Sequence, residues 1–176
     1  MDEVCYPYIY EHSLMCDYEI HTDEMCRQIG GLIAALQGEF PDLAEEVASL
    51  QPKVYHLNGS IRGKCAVSEE DVVWLRELYG RHREATADCL NGFVLPRGDA
   101  PVAALNAASS AAKKAIRLMV RLHEQEERMI PDVLHRFCNV LCNYFFVLTL
   151  VVNKRRGVEE IPFESASYRT PVAGKD

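Results

Sequence analysis

The sequence predicts an all-α protein, an up-and-down bundle of five helices. Three observations carry this expectation. Apolar residues recur at spacings of three and four through five separate stretches. Gly, Pro, Ser and Asp punctuate the intervals between them. No run alternates apolar and polar residues convincingly enough to read as a strand. The chain has 176 residues, 48% hydrophobic and 26% charged, enough for one domain with a sizeable core. Residues 1–176 therefore read as a single domain, with 1–21 and 154–176 as irregular ends.

Helix one is predicted from about Thr22 to Leu36. Thr22 or Asp23 can cap it, Ile29, Leu32, Ile33 and Leu36 form its stripe, and Gly38 and Pro41 end it. Helix two covers about Asp42 to Ile61, with Leu43, Val47, Leu50, Val54, Leu57 and Ile61 in register. Pro52 inside that pattern predicts a kink or break near Leu50. Helix three opens on Ser68-Glu69-Glu70-Asp71, a capping box with Asp in place of Glu, and stops before Gly92.

Helix four is predicted over Pro101–Gln125, with Leu105, Ala108, Ala112, Ile116, Met119 and Leu122 along one side. Its first half is nearly all Ala and Ser, so a neighbouring helix or a flat ligand can approach the backbone closely. Helix five runs from about Pro131 to Asn153 and is apolar around much of its circumference, as a central or inter-subunit helix is. The tail from Gly157 onward reads as irregular.

The connection before helix four is the most informative loop. Gly92-Phe93-Val94-Leu95 ends in Pro96-Arg97-Gly98-Asp99-Ala100-Pro101. Pro96 and Gly98 break the backbone, Asp99 can cap, and Pro101 suits a first helical turn, where its missing N–H is not needed. Such a loop presents one aromatic, Phe93, at the end of the bundle.

Bulk properties exclude several functions. The net charge of −7 argues against broad binding to nucleic acid or anionic membranes. Lys154-Arg155-Arg156 reads as cations favoured at a helix C-terminus. Met1-Asp2-Glu3-Val4 does not open a signal peptide, and the apolar run Tyr144–Val152 is far short of the ~20 residues that span a bilayer. The expected location is cytoplasmic. Seven cysteines without a CxxC pair read as reduced and partly buried, Cys138 and Cys142 included.

Nucleophile-elbow, phosphate-loop and HExxH motifs are absent. His82 and His135 fall on helical faces and read as satisfied bundle histidines. Cys5, His12, Cys16, His21 and Cys26 cluster near the N-terminus; their spacing is unlike a compact zinc site, so no metal is assigned, and they stand only as candidates for one.

Phe93-Val94-Leu95-Pro96 resembles the loop of the PduO-type ATP:cob(I)alamin adenosyltransferases, which reads Phe-Val/Ile-Leu-Pro-Gly-Gly before an alanine-rich helix. Three more stretches resemble that family in order and spacing: Asp23-Glu24-Met25 with Ile29-Gly30, Val72-Val73-Trp74-Leu75, and Asn139-Val140-Leu141-Cys142-Asn143-Tyr144-Phe145 continuing to Asn153. The resemblance covers about Asp23 to Asn153.

It implies a homotrimer of five-helix bundles, with corrinoid and Mg-ATP at subunit interfaces. It implies that Phe93 is the wedge that displaces the corrinoid's lower axial ligand. That displacement makes cobalt(I) accessible to attack the ribose 5′ carbon of ATP. It also implies catalytic places for Asn139 and Asp23, and contacts to the ligands from Phe93, Val94, Leu95, Lys113, Lys114, Arg117 and Asn143.

The chain departs from the family pattern in several places. The family's N-terminal Thr-Lys-Thr-Gly-Asp loop, which wraps the triphosphate, has no counterpart in Met1-Asp2-Glu3-Val4-Cys5-Tyr6-Pro7-Tyr8. In the family's Arg-x-x-x-Arg-Arg-Ala-Glu-Arg run, the first arginine falls at Ser109, the next two at Lys113 and Lys114, the glutamate at Ile116 and the last arginine at Arg117. The arginine expected to pair with Asp23 is therefore missing. Arg97 replaces the loop's first glycine, and Asn143 an aspartate of helix five. Lysine cannot supply arginine's bidentate fork to phosphate, so an ATP site here is expected to be weaker or differently built.

Three readings stay open on the sequence. One is a divergent corrinoid adenosyltransferase. A second is a non-catalytic relative that binds a corrinoid or another flat tetrapyrrole-like cofactor. The third is a bundle that only oligomerises, with Phe93 as ordinary core.

Overall fold

The computed structural model describes residues 3–89 and 92–167. Five helices dominate: α1 (Leu14–Gln37), α2 (Pro41–Ser60), α3 (Glu69–Ala85), α4 (Ala100–Glu126) and α5 (Asp132–Arg155). α2 packs on α1, α1 on α4, α4 on α5, and α5 on α3. The bundle closes where Glu46 of α2 meets His82 of α3 and Tyr144 of α5. Tyr18, Ile29, Leu50, Leu105, Phe137 and Phe145 fill the interior without solvent exposure.

Helix α1 begins eight positions before the predicted Thr22, so the predicted irregular segment 1–21 already contains a helix from Leu14 onward. Its cap is tertiary as well as local. Ser13 accepts from the Met15 N–H, while Ser13 Oγ and the Leu14 N–H both donate to Glu126 at the far end of α4. Of the kink or break expected near Leu50, the break does not occur: helix α2 runs continuously through Pro52. Pro52 is exposed, on the side where a helix tolerates missing backbone bonds best.

The capping box of α3 forms as predicted. Ser68 accepts from the Asp71 N–H, and the Asp71 carboxylate accepts from the Ser68 N–H. The helix ends at Ala85, short of Gly92, because Thr86 turns inward. It is buried, and its Oγ1 donates to the His82 carbonyl at 2.8 Å. The predicted continuation over residues 90 and 91 lies outside the described residues.

The alanines of α4 do what their size allows. Ala108, Ala112 and Ala115 are fully buried, which brings the backbones of α1 and α5 close to α4. Helix α5 is central, with Leu141, Tyr144, Phe145, Leu148 and Val152 entirely inside. By length and composition α5 is apolar enough to cross a membrane, but 72% of its most apolar window is buried inside the bundle.

Two expectations for the ends are corrected. Phe93–Val94 (β1) and Pro162–Phe163 (β2) form an antiparallel ribbon, so the chain does contain strands and its tail is not wholly irregular. A two-residue ladder carries too little periodicity to read in a sequence. Asp99 occupies the N-cap of α4, but its side chain does not cap; it pairs with Arg156. The tail expectation for residues 168–176 falls outside the described residues.

Lys154, Arg155 and Arg156 are more than dipole partners. Lys154 pairs with Asp88 after α3, Arg155 with Asp42 at the start of α2, and Arg156 with both Glu39 and Asp99. The end of α5 is thereby tied to three neighbouring connections.

Candidate functional site

The loop before α4 is set by one backbone position. Gly98 has φ +157, and a Cβ there would stand 2.4 Å from the Cβ of Val102. Val102 is buried in the first turn of α4, so the loop is pressed against the helix it precedes. The ribbon then fixes Phe93 and Val94, and the Leu95 N–H donates to the Ile161 carbonyl at 2.9 Å.

Phe93 is 47% exposed and is not ordinary core. It stands at the mouth of a cleft of about 710 Å³ between β1, the end of α3, α4 and α5. The body of the cleft is apolar, from Val94, Phe146, Val147 and Leu150. Its polar groups are Tyr79, Arg83, Thr86, Lys113 and Asn143, with Ser109 and Cys142 at the floor. Ser109 Oγ donates to the Cys142 carbonyl at 3.0 Å, joining α4 to α5 there.

A second, smaller hollow of about 380 Å³ lies on the other side of Lys113. His21, Lys113, Lys114, Arg117, Leu118 and Arg121 line it. Lys114, Arg117 and Arg121 fall at spacings of three and four, so one face of α4 carries them all. His21 donates Nε2–H to the Ala111 carbonyl at 2.7 Å, which orients the ring from α1. None of the four Lys and Arg side chains has an ion-pair or hydrogen-bond partner among the described residues. In a chain of net charge −7, that makes the hollow a concentrated positive site.

The N-terminal segment turns away from this hollow. Glu19 is buried and takes two hydrogen bonds from Arg62, each 2.9 Å. Arg62 also pairs with Glu11 and lies 3.9 Å from the Tyr8 ring centroid. Burial, together with a hydrogen bond to Glu19, pushes the Tyr6 hydroxyl well above its usual range. Positions 19 and 21 are about 200° apart around a helix, so the strapped segment and the hollow lie on opposite sides of α1.

The structure thus brings Phe93, Val94, Lys113 and Asn143 together in one cleft, and Lys113, Lys114 and Arg117 together in the hollow. Leu95 does not line the cleft; its part is the backbone bond to Ile161. Asn139 is exposed and donates to the His135 carbonyl one turn back, at 2.8 Å. Asp23 pairs with Arg27 of its own helix at 2.6 Å. Neither Asn139 nor Asp23 borders a cavity described here.

Cys5, His12, Cys16, His21 and Cys26 are not gathered. No group of three or more His, Cys, Asp or Glu side chains able to hold a metal exists among the described residues. Cys16 and Cys26 are buried, and burial raises both thiols above their ordinary value.

Several lining residues escaped the sequence reading, among them Arg121, Arg83 and Phe146. Arg121 stands one turn beyond Arg117, and extending the i, i+4 pattern would have found it. Arg83 and Phe146 enter the cleft only through the packing of α3 on α5.

Comparison with known proteins agrees with this architecture. Three solved structures of variants of a PduO-type ATP:corrinoid adenosyltransferase from Lactobacillus reuteri share the fold. A phenylalanine-to-histidine variant complexed with cobalamin and ATP superposes with TM-score 0.76 at 20% identity, over 88% of this chain and 86% of that one. A phenylalanine-to-alanine variant with the same two ligands gives 0.77 at 19% identity, over 89% and 90%. An arginine-to-lysine variant complexed with ATP gives 0.75 at 21% identity, again over 89% and 90%. A corrinoid adenosyltransferase of Bacillus subtilis strain 168 is 30% identical over 152 residues, covering 82% of this chain and 77% of its own length. The family model for cobalamin adenosyltransferase matches residues 12–152, spanning all of α1, α2, α3 and α4 and most of α5. This chain belongs to the cobalamin adenosyltransferase family.

Proposed function

We propose that this protein transfers the 5′-deoxyadenosyl group of ATP to cob(I)alamin. The corrinoid would sit in the apolar cleft against Phe93, and the triphosphate in the cationic hollow. The observation that carries this reading is Lys113, which lines both cavities. A reaction that joins a corrinoid metal to a nucleotide carbon needs those two ligands side by side, with a cation where they meet.

The chemistry follows from the two environments. Cobalt(I) supplies an electron pair to C5′, forming the Co–C bond and becoming cobalt(III). The C5′–O bond breaks, and its pair leaves on triphosphate. Negative charge grows on the departing oxygen, so cations placed there favour the transition state more than the ground state. Lys113, Lys114, Arg117 and Arg121 supply that charge, with the His21 ring beside them. A Mg²⁺ ion would arrive on the phosphates, since no carboxylate lines the hollow.

Phe93 acts before the transfer. An apolar ring at the lower face of the corrin excludes water and the axial base, leaving four-coordinate cobalt(II), which a separate one-electron reductant converts to cobalt(I) more readily. Val94, Phe146 and Asn143 complete that wall. Asn139 and Asp23 are proposed to act from a protomer boundary, since neither borders a cavity within one chain. The cleft is of a size that covers a drug-sized ligand, and a cobalamin is much larger. A second protomer is therefore needed to cover the rest, in keeping with a homotrimer.

The test is the cob(II)alamin spectrum on adding ATP. Wild-type protein should give the four-coordinate signature. Phe93→Ala should lose it while the helical circular dichroism is unchanged. A wild-type protein that binds neither ligand, or a Phe93→Ala variant that keeps the signature, defeats the assignment.

A further inference from the structure

We propose that Tyr79 and Arg83 form a seat for an oxyanion on the rim of the corrinoid, the phosphodiester of its nucleotide loop or a side-chain carboxylate, and so decide which corrinoids the cleft accepts. The inference rests on the adenosyltransferase reading and deepens it.

The two residues stand four apart on α3, so they share one face of that helix, and both line the cleft. Arg27, Arg62, Arg81, Arg136, Arg155 and Arg156 are each paired with a carboxylate. The Arg83 guanidinium has no ion pair or hydrogen bond among the described residues, and neither has the Tyr79 hydroxyl. No Asp or Glu lines the cleft. The hydroxyls of Thr86 and Ser109 are spent on the His82 and Cys142 carbonyls. Tyr79 and Arg83 are thus the side-chain donors that α3 leaves for a ligand. A cation in the last turn of a helix is favoured by the dipole, which holds Arg83 at the end of α3 without using its donors.

The placement suits a ligand that is apolar in the middle and anionic at one edge. α3 and α4 both pack on α5, whose Phe146, Val147 and Leu150 give the cleft apolar surface. Lys113 enters from α4, toward the nucleotide, and Arg83 enters from α3. Freeing the axial base from the lower face of a corrin swings its nucleotide loop aside, and the loop carries a phosphodiester. A guanidinium fork with a phenol one turn away matches two oxygens of a phosphodiester or a carboxylate. Holding the loop there also hinders its base from returning to cobalt.

The test titrates three corrinoids with ATP present: cob(II)alamin, cob(II)inamide, which lacks the nucleotide loop, and a cob(II)alamin monocarboxylic acid with one side-chain amide hydrolysed. Arg83→Ala should weaken binding of the anionic ligand about tenfold, Arg83→Lys less, and Tyr79→Phe severalfold. A loss seen with both cobalamins and absent with cob(II)inamide identifies the phosphodiester as the anion. A loss confined to the monocarboxylic acid identifies a carboxylate. The KM for ATP should stay within about twofold, since neither residue lines the cationic hollow. Arg83 is exposed and Tyr79 half-buried, so circular dichroism and melting should match wild type. An equal loss with all three corrinoids, no loss with any, or a rise in the KM for ATP alone overturns the inference and leaves the adenosyltransferase reading standing. A wild-type protein that binds none of the three overturns both.

Discussion

Arg156 and Asp99 pair at 2.5 Å, joining the last turn of α5 to the first residue before α4. The carboxylate that could cap α4 has been drawn to a cation from the other end of the site. Asp99 is largely exposed, so the pair should contribute no more than about 1 kcal/mol. Asp99→Ala should cost that much, and in an Arg156→Ala background it should cost almost nothing. A double-mutant cycle in urea measures the difference; an equal cost in both backgrounds would mean that Asp99 caps the helix after all.

The two cavities predict separable kinetics. Arg121→Ala touches only the hollow, and should raise the KM for ATP about tenfold while leaving cob(II)alamin affinity unchanged. Lys113→Ala touches both, and should lower kcat as well as raise that KM. Steady-state assays with each substrate varied in turn distinguish these patterns. Identical defects would show that the cations act as a diffuse field and that Lys113 has no special place.

Stability should fall in acid through Glu46. Burial pushes its carboxyl up, but hydrogen bonds from His82 and Tyr144, at 2.6 and 2.7 Å, outweigh it and leave the group below its ordinary value of 4.5. A carboxyl depressed on folding contributes its full stability above the unfolded value and loses it as pH drops through the folded one. Denaturant midpoints should therefore decline below about pH 4.5 in wild type. The decline should be shallower in Glu46→Gln, which starts less stable at neutral pH.

The cysteines should react in the order of their exposure. Cys138 is completely buried, and desolvation pushes its thiol up to about 12, so native protein should resist iodoacetamide there. Cys5 is exposed and should alkylate first. Peptide mass spectrometry after brief labelling reads both, and early modification of Cys138 would indicate that α5 opens readily.

The helices were legible where their signals are local. The capping box of Ser68 and Asp71, the apolar stripe of α2 and the alanines of α4 all stand in the sequence as they act in the structure. The start of α1 was not legible, because Glu126, 112 positions away, receives the Leu14 N–H. The ribbon was hidden for the same reason, since Phe93 finds its partner in Phe163 only after the bundle has closed. At the site, Phe93, Val94, Lys113 and Asn143 were identifiable from the family motif. Arg83 needed the packing of α3 on α5, whereas the i, i+4 pairing of Asp23 with Arg27 was open to a reading of the spacing alone.

The antiparallel ribbon also bears on how the molecule is made. Synthesis proceeds from the amino end, so β1 emerges from the ribosome long before β2, with two full helices between them. The nascent chain can build most of its scaffold while the Phe93 ring is still unconstrained. Only when residues 162 and 163 appear does that ring acquire its brace. The last constraint on that ring is thus set by the final strand to be made.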